Sequence, residues 1–187
     1  MVKSFLMSDF KVIAITPPFP YPDEAERIVH ILSGDFADFV HIRKPNYSAD
    51  EVESLIKNIK PEFHYRLKLH DHFELLNKYD LGGVHLNSRN KSPHPKSKSV
   101  SISLHSLEEI EDTEFYDYFF ISPVFDSISK EGYKARFNHV ELSNAVKGKK
   151  AIALGGVTPE KFDYLKSLGF KGAALLGHFF PSLPEGA

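Results

Sequence analysis

Short runs of β-branched and apolar residues recur along the chain at 12–16, 39–42, 66–69, 83–86, 99–104, 118–122, 151–154 and 172–176. Near-continuous apolar runs of this length suit strands buried on both faces, as in parallel sheets. The segments between them carry helix-start signals. Ser48 stands three residues before Glu51, the spacing of a capping box, in which a hydroxyl and a carboxylate each satisfy the other's backbone N–H. Ser106 and Glu109 repeat the pattern, and Asp71 and Glu74 share its spacing, which makes Asp71 a candidate helix cap. Thr158 precedes Pro159, a cap residue before a first-turn proline. Phe162, Leu165 and Leu168 then form an apolar stripe that Gly169 can close. Strand followed by capped helix, repeated, implies parallel strands joined by right-handed crossovers.

Eight such units favour a closed barrel over the alternative, an open doubly wound sheet. The expected fold is a compact α/β (β/α)8 TIM barrel spanning residues 1–187 as one domain. At 187 residues it is short for a barrel of this kind, typically about 250 residues, so helices and loops must be economical. The fourth crossover, residues 87–98, contains Pro93 and Pro95 with little apolar periodicity, and the tail after Phe180 is short. The fourth and eighth helices are therefore expected to be weak or missing.

Composition narrows the function classes. The formal net charge is −2 with no long run of one sign, so neither nucleic acid nor a membrane surface is an expected partner. No cysteine is present, which removes disulfide and thiolate chemistry. No stretch approaches the roughly 18 consecutive apolar residues of a membrane span, and residues 1–11 lack the order of a signal peptide. We expect a soluble cytoplasmic protein; a homo-oligomer stays open. Ten histidines offer proton transfer near neutral pH.

In a βα barrel the active site lies at the C-terminal ends of the strands. That rule singles out Arg43 and Lys44 after the second strand, His70 and Asp71 after the third, and Ser103 and His105 at the end of the fifth. It also marks the long sixth loop with Ser127, Ser129 and Lys130, and the glycines at 155–156 and 177. Arg43 and Lys44 suit a phosphate or other oxyanion, or form a solvated rim. Asp71 reads first as a helix cap and second as a Mg²⁺ carboxylate, the nearest other oxygen donors being the neutral Asn87 and Asn90. Gly156 and Gly177 allow backbone N–H groups to approach an anion, in the loops where barrels often hold phosphate, or they make tight turns. His105 and Ser103 share a strand face, which gives His105 either an acid/base role or that of a supporting histidine. His85 is expected to pack inside the barrel with its nitrogens hydrogen-bonded.

Taken in order, His41-Ile-Arg43-Lys44, Asp71, Gly83-Val-His85-Leu, Ser101 to His105, Ser122-Pro123-Val-Phe125 and Gly155-Gly-Val-Thr-Pro159 resemble the thiamine phosphate synthase family and its sister group, the TenI-like thiazole tautomerases. The resemblance runs over essentially the whole chain. It implies a compact (β/α)8 barrel. It also implies a thiazole phosphate ligand held by the N–H groups of Gly156 and Gly177, with Ser127, Ser129 and Lys130 at the family's sixth-loop positions. The synthase joins an aminopyrimidine diphosphate to the thiazole phosphate with Mg²⁺; the tautomerase isomerises the thiazole phosphate and requires no cofactor.

The departures fall on one side. Where the family has glutamine after the second strand, this chain has His41, and its lysine is displaced by one to Lys44. His70 replaces an asparagine, and Asn90 stands where a second metal aspartate is expected, leaving Asp71 as a metal ligand only if the chain is a synthase. The favoured expectation is a thiazole tautomerase with His105 moving the proton and Ser103 beside it. The alternatives are a Mg²⁺-dependent synthase and a non-catalytic thiazole- or thiamin-phosphate binder.

Overall fold

In the computed structural model, which describes residues 10–126 and 137–182, eight parallel strands close into a barrel in chain order. They are β1 (Lys11–Ile15), β2 (Phe39–Ile42), β3 (Leu67–Leu69), β4 (Gly83–Leu86), β5 (Val100–Leu104), β6 (Tyr118–Ile121), β7 (Ala151–Ala153) and β8 (Gly172–Leu175). Closure is made by β1 against β8, with Val12 opposite Ala173 and Ala14 opposite Leu175. All eight apolar runs became strands, and the open-sheet alternative is excluded.

Strand parity sorts the side chains into two cores. Ala14, Val40, Ile42, Leu67, Leu69, Val84, Leu86, Phe119, Ile121, Ala153 and Leu175 point outward and join one large apolar cluster. That cluster takes in the inner faces of α1 (Glu24–Ser33) and α2 (Ala49–Lys57) through Ile28, Ile31, Leu32, Val52 and Ile56. It reaches α3 (His139–Val146) and α4 (Phe162–Ser167) through Leu142, Val146 and Leu165. Ile13, Ile15, Phe120, Ile152 and Ala174 form a second, smaller cluster inside the barrel. Phe39, Leu154 and Leu176 pack against it, and polar inward side chains gather on β2 to β6.

The helices start and stop as the sequence directs. Ser48 caps α2 with both halves of the capping box formed. After α4, Gly169 adopts φ 98°, the Phe170 N–H bonds the Leu165 carbonyl at 3.1 Å, and the Gly169 N–H bonds that of Lys166 at 3.0 Å. This is a Schellman ending, which needs a residue tolerant of positive φ.

Economy exceeds the expectation. Residues 87–99 form no helix, and none follows β8 within the described residues. The third and fifth crossovers are also reduced, to single 3₁₀ turns at Phe73–Asn77 and Glu108–Ile110. The caps explain why. The expected cap at Asp71 does not form: His72, with φ 56°, precedes the turn without a side-chain cap. The Asp71 carboxylate instead accepts hydrogen bonds from Arg89 and Asn90. At the fifth crossover Glu109 does accept from the N–H groups of His105 and Ser106, at 2.6 and 2.9 Å. After Ile110, however, Glu111 and Asp112 supply no apolar face to propagate a helix.

Two glycines separate backbone need from mere flexibility. A Cβ at Gly83 (φ 146°) would lie 2.0 Å from the Ser99 carbonyl oxygen, where β4 meets β5; at Gly148 (φ 75°) it would meet nothing within 4 Å. Gly83→Ala is expected to cost about 3 kcal/mol, combining clash and strain, and Gly148→Ala only about 1 kcal/mol, from strain alone. Urea unfolding of both variants checks this; equal losses would mean that the close approach to Ser99 is readily relieved.

Candidate functional site at the C-terminal mouth

Inward-facing polar residues line β2 to β6 and continue to the mouth. His41 lies opposite Lys68, and His85 opposite Ser101. His41 Nδ1 is 2.9 Å from His70 Nε2, and His41 Nε2 is 2.7 Å from the Tyr118 hydroxyl. His85 Nδ1 and Nε2 lie 2.9 and 2.8 Å from the hydroxyls of Ser101 and Ser103. The rings of His70 and His85 stack with centroids 4.2 Å apart. His85 is thus packed and satisfied, as expected. Burial, reinforced by neighbouring cationic groups, holds His41 and His70 well below the usual imidazole range and pulls His85 down to about 3.

The mouth residues divide by what they can still reach. His105 follows β5, is exposed, and sets Nδ1 3.3 Å from the Ser122 carbonyl oxygen and 3.4 Å from its hydroxyl. Ser103 is held by His85, so it supports the buried ring rather than His105. Arg43 is half-buried at the end of β2, its backbone N–H bonded to Thr16 at 3.0 Å.

Lys44 is not a mouth cation. It is 1 % exposed, pairs with Glu24 of α1 at 2.7 Å, and donates to the carbonyls of Pro17 and Phe19 at 2.9 and 2.8 Å. Its donors are consumed in anchoring the first loop, so the expected phosphate contact is corrected to a structural clamp. Its position, out of the inward register of His41, is the physical reason.

Asp71 is similarly committed. Arg89 grips both its oxygens, at 2.9 and 3.1 Å, and Asn90 donates to it at 3.0 Å. Asn90 and Asn87 both donate to the His70 carbonyl. A single carboxylate already neutralised by a guanidinium, with amide nitrogens turned toward it, does not fit Mg²⁺, which needs oxygen donors and usually one or two free carboxylates.

On the opposite side, Gly155 and Gly156 have φ 91° and 60°, and a Cβ on Gly156 would lie 2.1 Å from the Asp126 carbonyl oxygen. This turn packs tightly against the segment after β6. Gly177 faces open space, with nothing within 4 Å of an added Cβ. Ser127, Ser129 and Lys130 lie outside the described residues. A cavity of about 420 Å³ opens at the other end of the barrel, over Lys11, Lys68, Tyr118, Lys150 and Lys171. That end belongs to stability in βα barrels, and strand polarity argues against chemistry there. Lys68, brought down to about 8 by burial, bonds Ser99 and sits 4.6 and 4.7 Å from the ring centres of Phe39 and Tyr118.

The fold and its polar C-terminal mouth define the class: a compact βα-barrel protein whose site lies at the C-terminal ends of its strands. The family model for thiamine monophosphate synthase matches residues 12–179, and the chain belongs to that family. Thiamine phosphate pyrophosphorylase from Bacteroides thetaiotaomicron is 33 % identical, with a TM-score of 0.79 over 95 % of this chain and 88 % of that one. Thiamine phosphate pyrophosphorylase from Pyrococcus furiosus is similar at 20 % identity, with a TM-score of 0.71 over 90 % and 86 %. (S)-3-O-geranylgeranylglyceryl phosphate synthase from Thermoplasma acidophilum, at 13 % identity and a TM-score of 0.65 over 93 % and 87 %, shares the fold. No curated protein sequence matches the chain.

Sequence reasoning placed His85 correctly but missed that His41, His70 and His85 converge. Only the pairing of neighbouring strands shows that the three rings meet.

The buried histidines set an acid limit on stability. His85 has a native value of about 3 and an unfolded value near 6.5. Between those limits the unfolded chain binds the proton and the native one does not, so stability present above pH 6.5 is lost as pH falls. From pH 6 to 4, unfolding free energy should fall more steeply in the native protein than in His85→Gln, by about 1.4 kcal/mol per pH unit. Parallel curves would show that His85 is protonated in both states or in neither.

Proposed function

We propose that the protein acts on a thiazole phosphate in thiamin biosynthesis, in the manner of a thiazole tautomerase. The observation that carries this reading is the state of Asp71, engaged by Arg89 and Asn90 and grouped with no other carboxylates as a metal site among the described residues. Releasing a diphosphate calls for a cation such as Mg²⁺ to neutralise the departing oxygens, and the described residues offer no group of free carboxylates to hold Mg²⁺ there. Moving a proton within one substrate needs only a group that takes and returns it. His105 suits that role: Ser122 holds its Nδ1, and Nε2 has no partner among the described residues. The phosphate would rest on the N–H groups of Gly156 and Gly177, with Arg43 adding positive charge and the sixth-loop residues Ser127, Ser129 and Lys130 closing over it. No cofactor is required, and a cytoplasmic setting suits the chemistry.

The second reading is a Mg²⁺-dependent thiamine phosphate synthase. It is favoured by the 33 % identical protein that bears the name thiamine phosphate pyrophosphorylase. The two readings part in a direct assay. The expected result is isomerisation of the thiazole phosphate without metal, and little coupling of an aminopyrimidine diphosphate to it with Mg²⁺. Efficient metal-dependent coupling would overturn the tautomerase; binding with neither activity would leave a carrier of the phosphate. Asn90→Asp should raise Mg²⁺ affinity if this position borders a metal site.

His105→Asn is expected to lower isomerisation about 10²–10⁴-fold with thiazole phosphate binding near that of the unmodified protein. Gly177→Ala should fold normally, since nothing opposes its methyl group, yet weaken phosphate binding by filling the cradle. Unchanged turnover in the first variant removes His105 from the reaction; unchanged binding in the second moves the phosphate elsewhere.

A further inference from the structure

Inside the barrel, three imidazoles from adjacent strands come together. His41 ends β2's inward series, His70 follows β3, and His85 lies on β4, with one ring nitrogen from each within 4.8 Å of the others. They are 0 %, 6 % and 1 % exposed. From this convergence we propose a transition-metal site, built by His41, His70 and His85, that takes Zn²⁺ or a similar borderline divalent ion.

The donor set selects the metal. Three imidazole nitrogens and no carboxylate suit Zn²⁺, Co²⁺, Ni²⁺ or Cu²⁺ and exclude Mg²⁺ and Ca²⁺, which need oxygen. Zn–N bonds of 2.0–2.1 Å in a tetrahedron put the nitrogens about 3.4 Å apart. His41 Nδ1 and His70 Nε2 are already 2.9 Å apart. The third nitrogen must close by roughly 1.5 Å at most to complete the set, a movement within reach of side-chain torsions.

The groups behind the rings fit as well. A ligating histidine usually donates its other N–H to a fixed acceptor, which sets the tautomer. With His41 ligating through Nδ1, its Nε2–H faces the Tyr118 oxygen at 2.7 Å. With His85 ligating through either nitrogen, the other faces Ser101 or Ser103. On metal entry the proton between His41 and His70 moves to the far nitrogen of its own ring, so each ring keeps one N–H, and His85 exchanges one of its two serine bonds for the ion. All three rings are held neutral by burial, the form a metal requires. Lys68 and Arg43 act on these rings as nearby positive groups and oppose the ion. The site is therefore expected to carry hydroxide or another anion in its fourth position.

The test uses the full chain freed of metal by a chelator and titrated with Zn²⁺ alone, then with Co²⁺ followed in the visible spectrum. One equivalent should bind, with the intense d–d absorption of tetrahedral Co²⁺, and Mg²⁺ should not compete. His41→Gln and His85→Gln should abolish that equivalent, and Tyr118→Phe should weaken it by about 10-fold. Replacing three of the histidines outside the cluster, His30, His94 and His178, should leave it intact. Thermal melts with and without Zn²⁺ keep the test sound if a variant is destabilised, because a bound ion raises the native melting temperature and cannot do so where the site is lost. Absence of stoichiometric binding to the native protein overturns the site. So does binding that survives His41→Gln and His85→Gln, or that is lost on replacing His30, His94 and His178.

Discussion

Polar atoms shut inside a barrel must find partners there, because water cannot reach them. In most βα barrels branched aliphatic side chains fill the interior and the problem does not arise. Here the fully buried branched aliphatics are Ile13, Ile15 and Ile152 of β1 and β7, joined by Ala174 and Phe120. The facing strands contribute His41, Lys68, His70, His85, Ser101 and Ser103. Each buried ring is answered by a neighbour on another strand: His41 by Tyr118 and His70, His85 by Ser101 and Ser103. These bonds also specify the register. A slip of one residue on β2 or β4 would push an imidazole into the outer apolar layer and bring Val40 or Val84 inward.

The outer layer shows a related economy. Parallel strands need cover on their outer face, and full helices provide it beside β1, β2, β7 and β8. From β3 to β6 the cover is thinner. Leu75, Leu76 and Ile110, all nearly fully buried, reach the sheet from 3₁₀ turns. A few well-placed apolar side chains do there what a whole helix does elsewhere. The polar ends of those short crossovers remain available for the mouth, where Asp71, Asn87, Arg89 and Asn90 knit two loops together.

The fold was legible because parallel strands advertise themselves as uninterrupted apolar runs, and all eight did so. The missing fourth helix was legible from Pro93 and Pro95. The reduced third and fifth crossovers were not, because the Asp71–Glu74 and Ser106–Glu109 spacings mimic caps. A cap signal reports local competence, whereas propagation depends on the apolar residues that follow. Asp71 is the sharper lesson: its competing partner, Arg89, lies on another loop, and no local pattern reveals it. Lys44 failed for the same reason. Adjacent to Arg43, it reads as one of a pair, but strand alternation sends neighbours to opposite sides, and Glu24 on α1 claims it. The convergence of His41, His70 and His85 was hidden because it is a property of register between strands.

The mouth thus divides into two halves that can change separately. On one half, Gly155 and Gly156 are locked against the segment after β6 by contacts that leave no room for a side chain, so the backbone there is fixed by shape. On the other half, the side chains of β2 to β4 are fixed by hydrogen bonds among themselves, and one exchange is tolerated only if its neighbours answer it. The imidazole at 41 has two ring nitrogens to satisfy, and the imidazole at 70 and the hydroxyl of Tyr118 satisfy them. Such a network changes as a unit. A change within that network on β2 to β4 therefore need not disturb the glycine turns on the other half.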